Sequence, residues 1–153
     1  MYNTIQDAMA AYAATPDVLQ GLLRGHDQAQ ASAARGGDEN WSVVEVLCHL
    51  RDAEEMALLR MRLMRDEENP WLAGFDQERW AKERHYAAAR LDEALAAFLQ
   101  LRATHLAELA ALRPADWERP GRHEEQGQIT ILSHQLHLVS HDAVHLAQIA
   151  RQL

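Results

Sequence analysis

Thr130-Ile131-Leu132-Ser133-His134-Gln135-Leu136-His137-Leu138-Val139-Ser140-His141-Asp142-Ala143-Val144-His145-Leu146-Ala147-Gln148-Ile149 decides how this chain folds. Thr130 is a good helix N-cap, and the apolar positions behind it recur at helical spacing, predicting one helix to the terminus. At about 100° per residue, His134, Leu138, His141, His145 and Ile149 fall within roughly 40° either side of one line. Leu132, Leu136, Val139, Ala143, Leu146 and Ala150 form a second, fully apolar line. A helix apolar on two sides is buried on two sides. The first line should face a bundle interior; the second should pack on a neighbouring helix or on another subunit.

The histidines carry the chemistry. His141 and His145 stand four residues apart, so their rings project from one side of the helix and suit a single borderline metal ion. The spacing alone is only moderately specific, because the chain has 9 histidines and His137–His141 is another such pair. The other reading is a histidine pair bonded to protein carbonyls. His137 and His145 lie about 12 Å apart along the axis and about 80° apart around it, so they cannot share an ion. His137 is therefore read as a supporting or surface residue. Asp142 points some 100° away from His141 and is read as a surface residue.

Upstream, Trp41-Ser42-Val43-Val44-Glu45 opens a second helix with a capping box, and that helix is predicted to run through Arg65. His49 lies on it, on the face of Glu45, Asp52, Ala53 and Met56, well placed to meet His141 and His145. Three neutral imidazoles would leave a coordination position open, as reactive metal centres do. Asp52, one turn on, has two readings: it orients an imidazole or a metal-held water, or it pairs with Arg51 or a later arginine. Cys48 points away from His49 and is read as a small buried apolar residue. Arg60, Arg62 and Arg65, followed by Asp66, Glu67 and Glu68, are read as a solvated helix end. Trp41 should anchor the helix start. The tryptophans at 71, 80 and 117 should plug the bundle ends or wall a pocket.

The remaining chain supplies two more long helices. The first is predicted from Thr4 to Ala34, interrupted or re-entered at Thr15-Pro16-Asp17 and ended by Arg35-Gly36-Gly37-Asp38. The third runs from Arg90 to Leu112 on Leu91, Leu95, Phe98, Leu101 and Leu109. Between the second and third, residues 70–89 form a crossover with a short helix around Asp76–Glu83. Pro114 to Gly127 is predicted as a polar loop. Only 7 glycines and 4 prolines occur in 153 residues, which favours helix nearly throughout. The fold class is all-α, one four-helix bundle domain over residues 1–153.

A net charge of -8 argues against nucleic acid or an anionic membrane as partner. No apolar run approaches the roughly 20 residues of a membrane span, and no leader opens the chain. The single cysteine excludes an internal disulfide and suits the cytoplasm. There is no HExxH, since His123-Glu124-Glu125 lacks the second histidine, and no CxxC or glycine-rich phosphate loop.

Trp41 through Glu54, the arginine-containing remainder of that helix, and the Thr130 helix ending His141-Asp142-Ala143-Val144-His145-Leu146-Ala147-Gln148-Ile149 together resemble the DinB-like superfamily. The resemblance covers nearly the full length. It implies up-down-down-up order with the long crossover between helices 2 and 3, and a divalent metal, nickel or zinc, on His49, His141 and His145. It also implies a homodimer, and a small-molecule substrate such as a low-molecular-weight thiol. The expected function is a metal-dependent enzyme whose open position activates a thiolate or water. Transfer using a small thiol is the preferred form, a metal-dependent hydrolase the next, and Asp52 the candidate base. A stress-associated bundle that binds metal or ligand without turnover, or a metal-free helical scaffold, would share the same sequence features.

Overall fold

The computed structural model describes residues 4–33 and 40–153. Four long helices make the bundle: α1 (Thr4–Leu23), α3 (Val43–Asp66), α5 (Leu91–Ala110) and α6 (Ile131–Gln152). Two short helices, α2 (Gln28–Ser32) and α4 (Gln77–Glu83), lie in the connections. The predicted caps are in place. Ser42 and Glu45 exchange bonds at the start of α3, with the Glu45 amide donating to Ser42 Oγ at 3.3 Å and the Ser42 amide to Glu45 Oε2 at 2.9 Å. Thr130 and Ser133 do the same for α6.

Helix directions follow from which residues meet. Glu54 of α3 meets Arg102 and His105 of α5, while Arg62 and Arg65 meet Glu108 further along, so α3 and α5 run parallel. One core cluster joins Leu19 and Leu23 of α1 to Val43–Leu50 of α3 and Ile149 of α6. The other joins Tyr12 to Ala57–Met64 and to Ile131 and Leu138. Hence α1 is antiparallel to α3 and parallel to α6. The order is up-down-down-up, and the parallel middle pair is what requires the long crossover at residues 67–90.

The first helix departs from expectation twice. Instead of running to Ala34, it ends at Leu23, because Gly25 (φ +81°) takes the left-handed turn that stops a helix and Asp27 then caps α2. The predicted break at residues 35–38 lies outside the described residues. Thr15 and Pro16 do not interrupt it: α1 is continuous through Pro16. Thr15 is no cap, but donates from its buried hydroxyl to Asp142 Oδ2 at 2.8 Å.

The predicted polar loop at 114–127 instead supplies the middle strand of a small sheet. β1 (Trp71–Leu72) pairs parallel with β2 (Pro120–His123), which forms an antiparallel hairpin with β3 (Gly127–Thr130). Gly121 lets this hairpin sit against the bundle; a Cβ there would lie 2.6 Å from Leu72 Cδ1 and 2.8 Å from Met64 Cγ. The hairpin covers one end of the bundle and carries His123 inward, buried.

The second face of α6 is only partly covered. Leu132, Val139 and Leu146 pack partly buried against the core clusters while Leu136, Ala143 and Ala150 are exposed, and the side turned towards α1 and α5 holds Gln135 and Asp142, both buried. Asp142 is thus not a surface residue: the guanidinium of Arg102 reaches it across the core. No described helix is long and apolar enough to cross a membrane.

Candidate metal centre

His49 comes from the first half of α3, and His141 and His145 come from the second half of α6, on facing sides of antiparallel helices. One ring nitrogen from each lies within 4.8 Å of the other two. Ring centroids are 5.0 Å apart for His49–His141, 4.6 Å for His49–His145 and 4.5 Å for His141–His145. His49 and His145 are buried and His141 is half-buried.

The orientation of each ring has a physical cause. His145 Nδ1 lies 2.9 Å from Gln148 Oε1, an amide oxygen that only accepts, so Nδ1 carries the proton and the Nε2 lone pair is free. His49 and His141 face each other through Nε2 atoms 2.9 Å apart. The Trp41 ring lies 5.4 Å from the His49 ring, so this tryptophan both anchors the start of α3 and walls the site. Burial, with the neighbouring His145, pushes His49 down to about 4 and His141 down to about 3. Both rings are therefore neutral at pH 7, the protonation state in which imidazole holds a metal. Three convergent neutral nitrogens suit a borderline divalent ion with a position left open.

Asp52 is fully buried and makes no hydrogen bond to His49. It accepts from the Tyr86 hydroxyl and from Arg51 Nε at 2.8 Å, and pairs with Arg84 Nη1 at 3.0 Å. Its negative charge nonetheless opposes the depression of the His49 pKa. Cys48 is buried, and burial pushes its thiol up to about 11. His137 is exposed at the rim of the site cavity. Of the tryptophans, Trp117 plugs the core, Trp80 stacks with Phe75 and Arg84, and Trp71 is exposed.

A cavity of about 170 Å³ opens beside His49 and His141 and runs to Phe75, Arg60, His123 and His134. Arg60 corrects the reading of a solvated arginine end. Arg62 and Arg65 do pair at the surface region with Glu108, but Arg60 is only 8 % exposed and lines the cavity. Its spacing held the clue, since eleven residues after His49 is roughly 20° off the same helical face. Gln148 was equally readable, one turn after His145. His123 was not, because only the hairpin brings it there.

The family model for the DinB superfamily matches residues 11–149. A protein of Oceanobacillus iheyensis is 32% identical over 106 residues, which cover 69% of this chain and 59% of that protein. One from Geobacillus kaustophilus is 28% identical over 149 residues, covering 95% and 82%. YfiT of Bacillus subtilis is 25% identical over 120 residues, covering 76% and 67%. All three bear the name "Putative metal-dependent hydrolase". The chain thus spans about three fifths of the length of the first of these relatives, 59%. The solved structure of YfiT, described as having an unusual four-helix bundle topology, superposes with a TM-score of 0.87 at 23% identity, covering 97% of this chain and 85% of that one.

Proposed function

We propose that this chain, which belongs to the DinB superfamily, is a metal-dependent enzyme acting on a small molecule through one divalent ion held by His49, His141 and His145. The observation that carries this reading is the convergence of three ring nitrogens within 4.8 Å, with Gln148 fixing one tautomer. When bound, the ion would lower the pKa of a thiol or water and so supply a nucleophile at neutral pH. The chain's own residues do the rest. Gln148 holds the His145 ring in place. Trp41 and Phe75 exclude water from the His49 side. Asp52, held by Tyr86 and two arginines, acts on His49 through its charge across the helix rather than by contact.

A low-molecular-weight thiol is the preferred nucleophile and zinc or nickel the preferred metal. The names of the relatives favour water, and hence hydrolysis, as the second reading. The reading also includes a cytoplasmic setting, which suits the unpaired thiol Cys48, and a homodimer over the exposed part of the second apolar line of α6, Leu136, Ala143 and Ala150. A monomeric mass by light scattering removes the dimer.

The test is elemental analysis of untagged protein, followed by turnover of a small electrophile with and without added thiol. One divalent ion per chain, lost in His49→Ala, is the expected result. Thiol-dependent consumption of the electrophile supports transfer, and thiol-independent hydrolysis supports the second reading. Absence of a bound transition metal, with no uptake of added zinc or nickel, overturns both.

A further inference from the structure

The cavity is lined in part by residues that each carry a buried N–H group without an acceptor. Arg60 Nη2 donates to the Ala73 carbonyl at 2.6 Å, but Nε is buried with no partner, and the side chain makes no ion pair with any described carboxylate within 4.0 Å. His123 Nδ1 accepts from the backbone amides of Glu125 (3.1 Å) and Gln126 (3.2 Å). Accepting there fixes the tautomer: the neutral ring must carry its proton on Nε2, and that buried N–H also has no partner. His134 is 2 % exposed with both ring nitrogens unpartnered, and one of them must bear a proton. All three residues line the same cavity. A buried donor without an acceptor costs about 1–3 kcal/mol, and three such donors on residues that line one cavity point to a group that would meet them there.

What would satisfy this site is a group that only accepts and carries negative charge. Arg60 supplies a permanent positive charge, and guanidinium matches a carboxylate better than any other small group. His123 and His134 stay neutral in its presence: burial and the Arg60 charge both lower their pKa values. They therefore act as N–H donors rather than as competing cations. Glu125 lines the same cavity and Glu124 also lies near Arg60, but neither carboxylate approaches to pairing distance. The Phe75 ring, 5.9 Å from the Arg60 guanidinium carbon, closes one side.

We propose that Arg60, His123 and His134 form a carboxylate-binding subsite, so that the small molecule acted on at His49, His141 and His145 carries a carboxylate at its far end. This rests on the metal-centre reading for the reacting end only. His134 lies seven residues before His141, which sets the two ends roughly 10 Å apart along α6. The substrate class is then a short, extended carboxylic acid whose other end is electrophilic or carries a thiol.

The experiment is an NMR titration of the imidazole signals, using metal-free protein of residues 1–153, with acetate, its neutral isostere acetamide, and inorganic phosphate as probes. Acetate is expected to shift the His123 and His134 signals saturably, with acetamide at least about tenfold weaker, the worth of a charge-assisted bond. Arg60→Gln should weaken acetate by about the same factor and Arg60→Lys by less, each first checked for native helical circular dichroism. The proposal is overturned if acetate leaves His123 and His134 unmoved, if it shifts only His49, His141 and His145, if phosphate alone binds, or if both Arg60 variants bind acetate like the wild type. His49→Ala separates the two readings. Acetate binding that survives in a protein unable to take up zinc in any form supports the subsite while the metal centre fails.

Discussion

Arg102 Nη1 of α5 donates to the carbonyl of Tyr12 on α1 at 2.9 Å, and that carbonyl is the one for which Pro16, four residues on, has no N–H. A proline inside a helix leaves an acceptor orphaned; here a buried guanidinium from another helix replaces the missing donor. The same guanidinium pairs with Glu54 of α3 at 3.0 Å and Asp142 of α6 at 2.9 Å. Glu54 in turn accepts from the Tyr12 hydroxyl and lies 2.8 Å from His105 Nδ1. One side chain, 1 % exposed, thus ties all four bundle helices together next to the residue that follows His141.

Arg102→Met should therefore be among the most damaging single changes in the bundle. It strands two carboxylates and a carbonyl in the core, and breaking a buried pair from one side costs about 3–5 kcal/mol. Urea unfolding of the two proteins at pH 7 measures this. A loss below about 1 kcal/mol would mean that water enters and solvates the site.

Stability of the metal-free protein should fall as pH drops from neutrality, ahead of any carboxylate. Burial holds His49 at about 4 and both His134 and His141 at about 3 in the folded chain, against an ordinary 6.5. Below pH 6.5 the unfolded chain takes up protons that the folded chain refuses, so each ring removes up to about 1.4 kcal/mol per pH unit. The loss levels off only as the folded rings protonate near 3 to 4. Glu54 adds a later decline: burial raises its pKa, but His105 and Arg102 outweigh that and hold it near 2. Its contribution is complete above 4.5 and disappears as pH falls towards 2. Unfolding midpoints at pH 8, 7, 6 and 5 in chelator check the first part, and a flat profile over that range contradicts it.

The long helices and the histidine triad were legible because periodicity and capping are local signals. Ser42 with Glu45, Thr130 at the last helix, and the line His134–Leu138–His141–His145–Ile149 all read directly off spacing. What stayed hidden depends on neighbours distant in sequence. Asp142 looked like a surface acid because nothing near it in the chain announces Arg102. The strands escaped because Gly121-Arg122-His123 and Gly127-Gln128-Ile129 are too short and polar to alternate; the hairpin holds by packing Gly121 on Met64 and Leu72. The proline in α1 misled for the same reason, its compensation lying 86 residues away in Arg102.

Gly121→Ala probes that hairpin. Leu72 and Met64 are fully buried, so neither can easily retreat from a Cβ placed 2.6–2.8 Å away. Overpacking of this kind costs about 1–3 kcal/mol. Since the hairpin carries His123, the variant should also shift the His123 imidazole signal while leaving those of His141 and His145 in place. A melting temperature equal to wild type would show that β2 is free to move off the bundle.

Gln148 offers a test of the proposed metal centre that spares the three histidines. Its Oε1 takes the Nδ1 proton of His145 and so presents the Nε2 lone pair to the other two rings. In Gln148→Leu the ring loses that partner, both tautomers become accessible, and the ring can turn. Loss of such a supporting bond typically costs about 10–100-fold in metal affinity. Gln148→Glu keeps an acceptor in place and should hold zinc at least as well as wild type, because a carboxylate makes the imidazole more basic. Competition against a chromophoric chelator measures all three proteins at pH 7. Leu and Glu variants that bind zinc equally would show that His145 does not hold the ion through Nε2, whereas the split between them assigns the nitrogen that does.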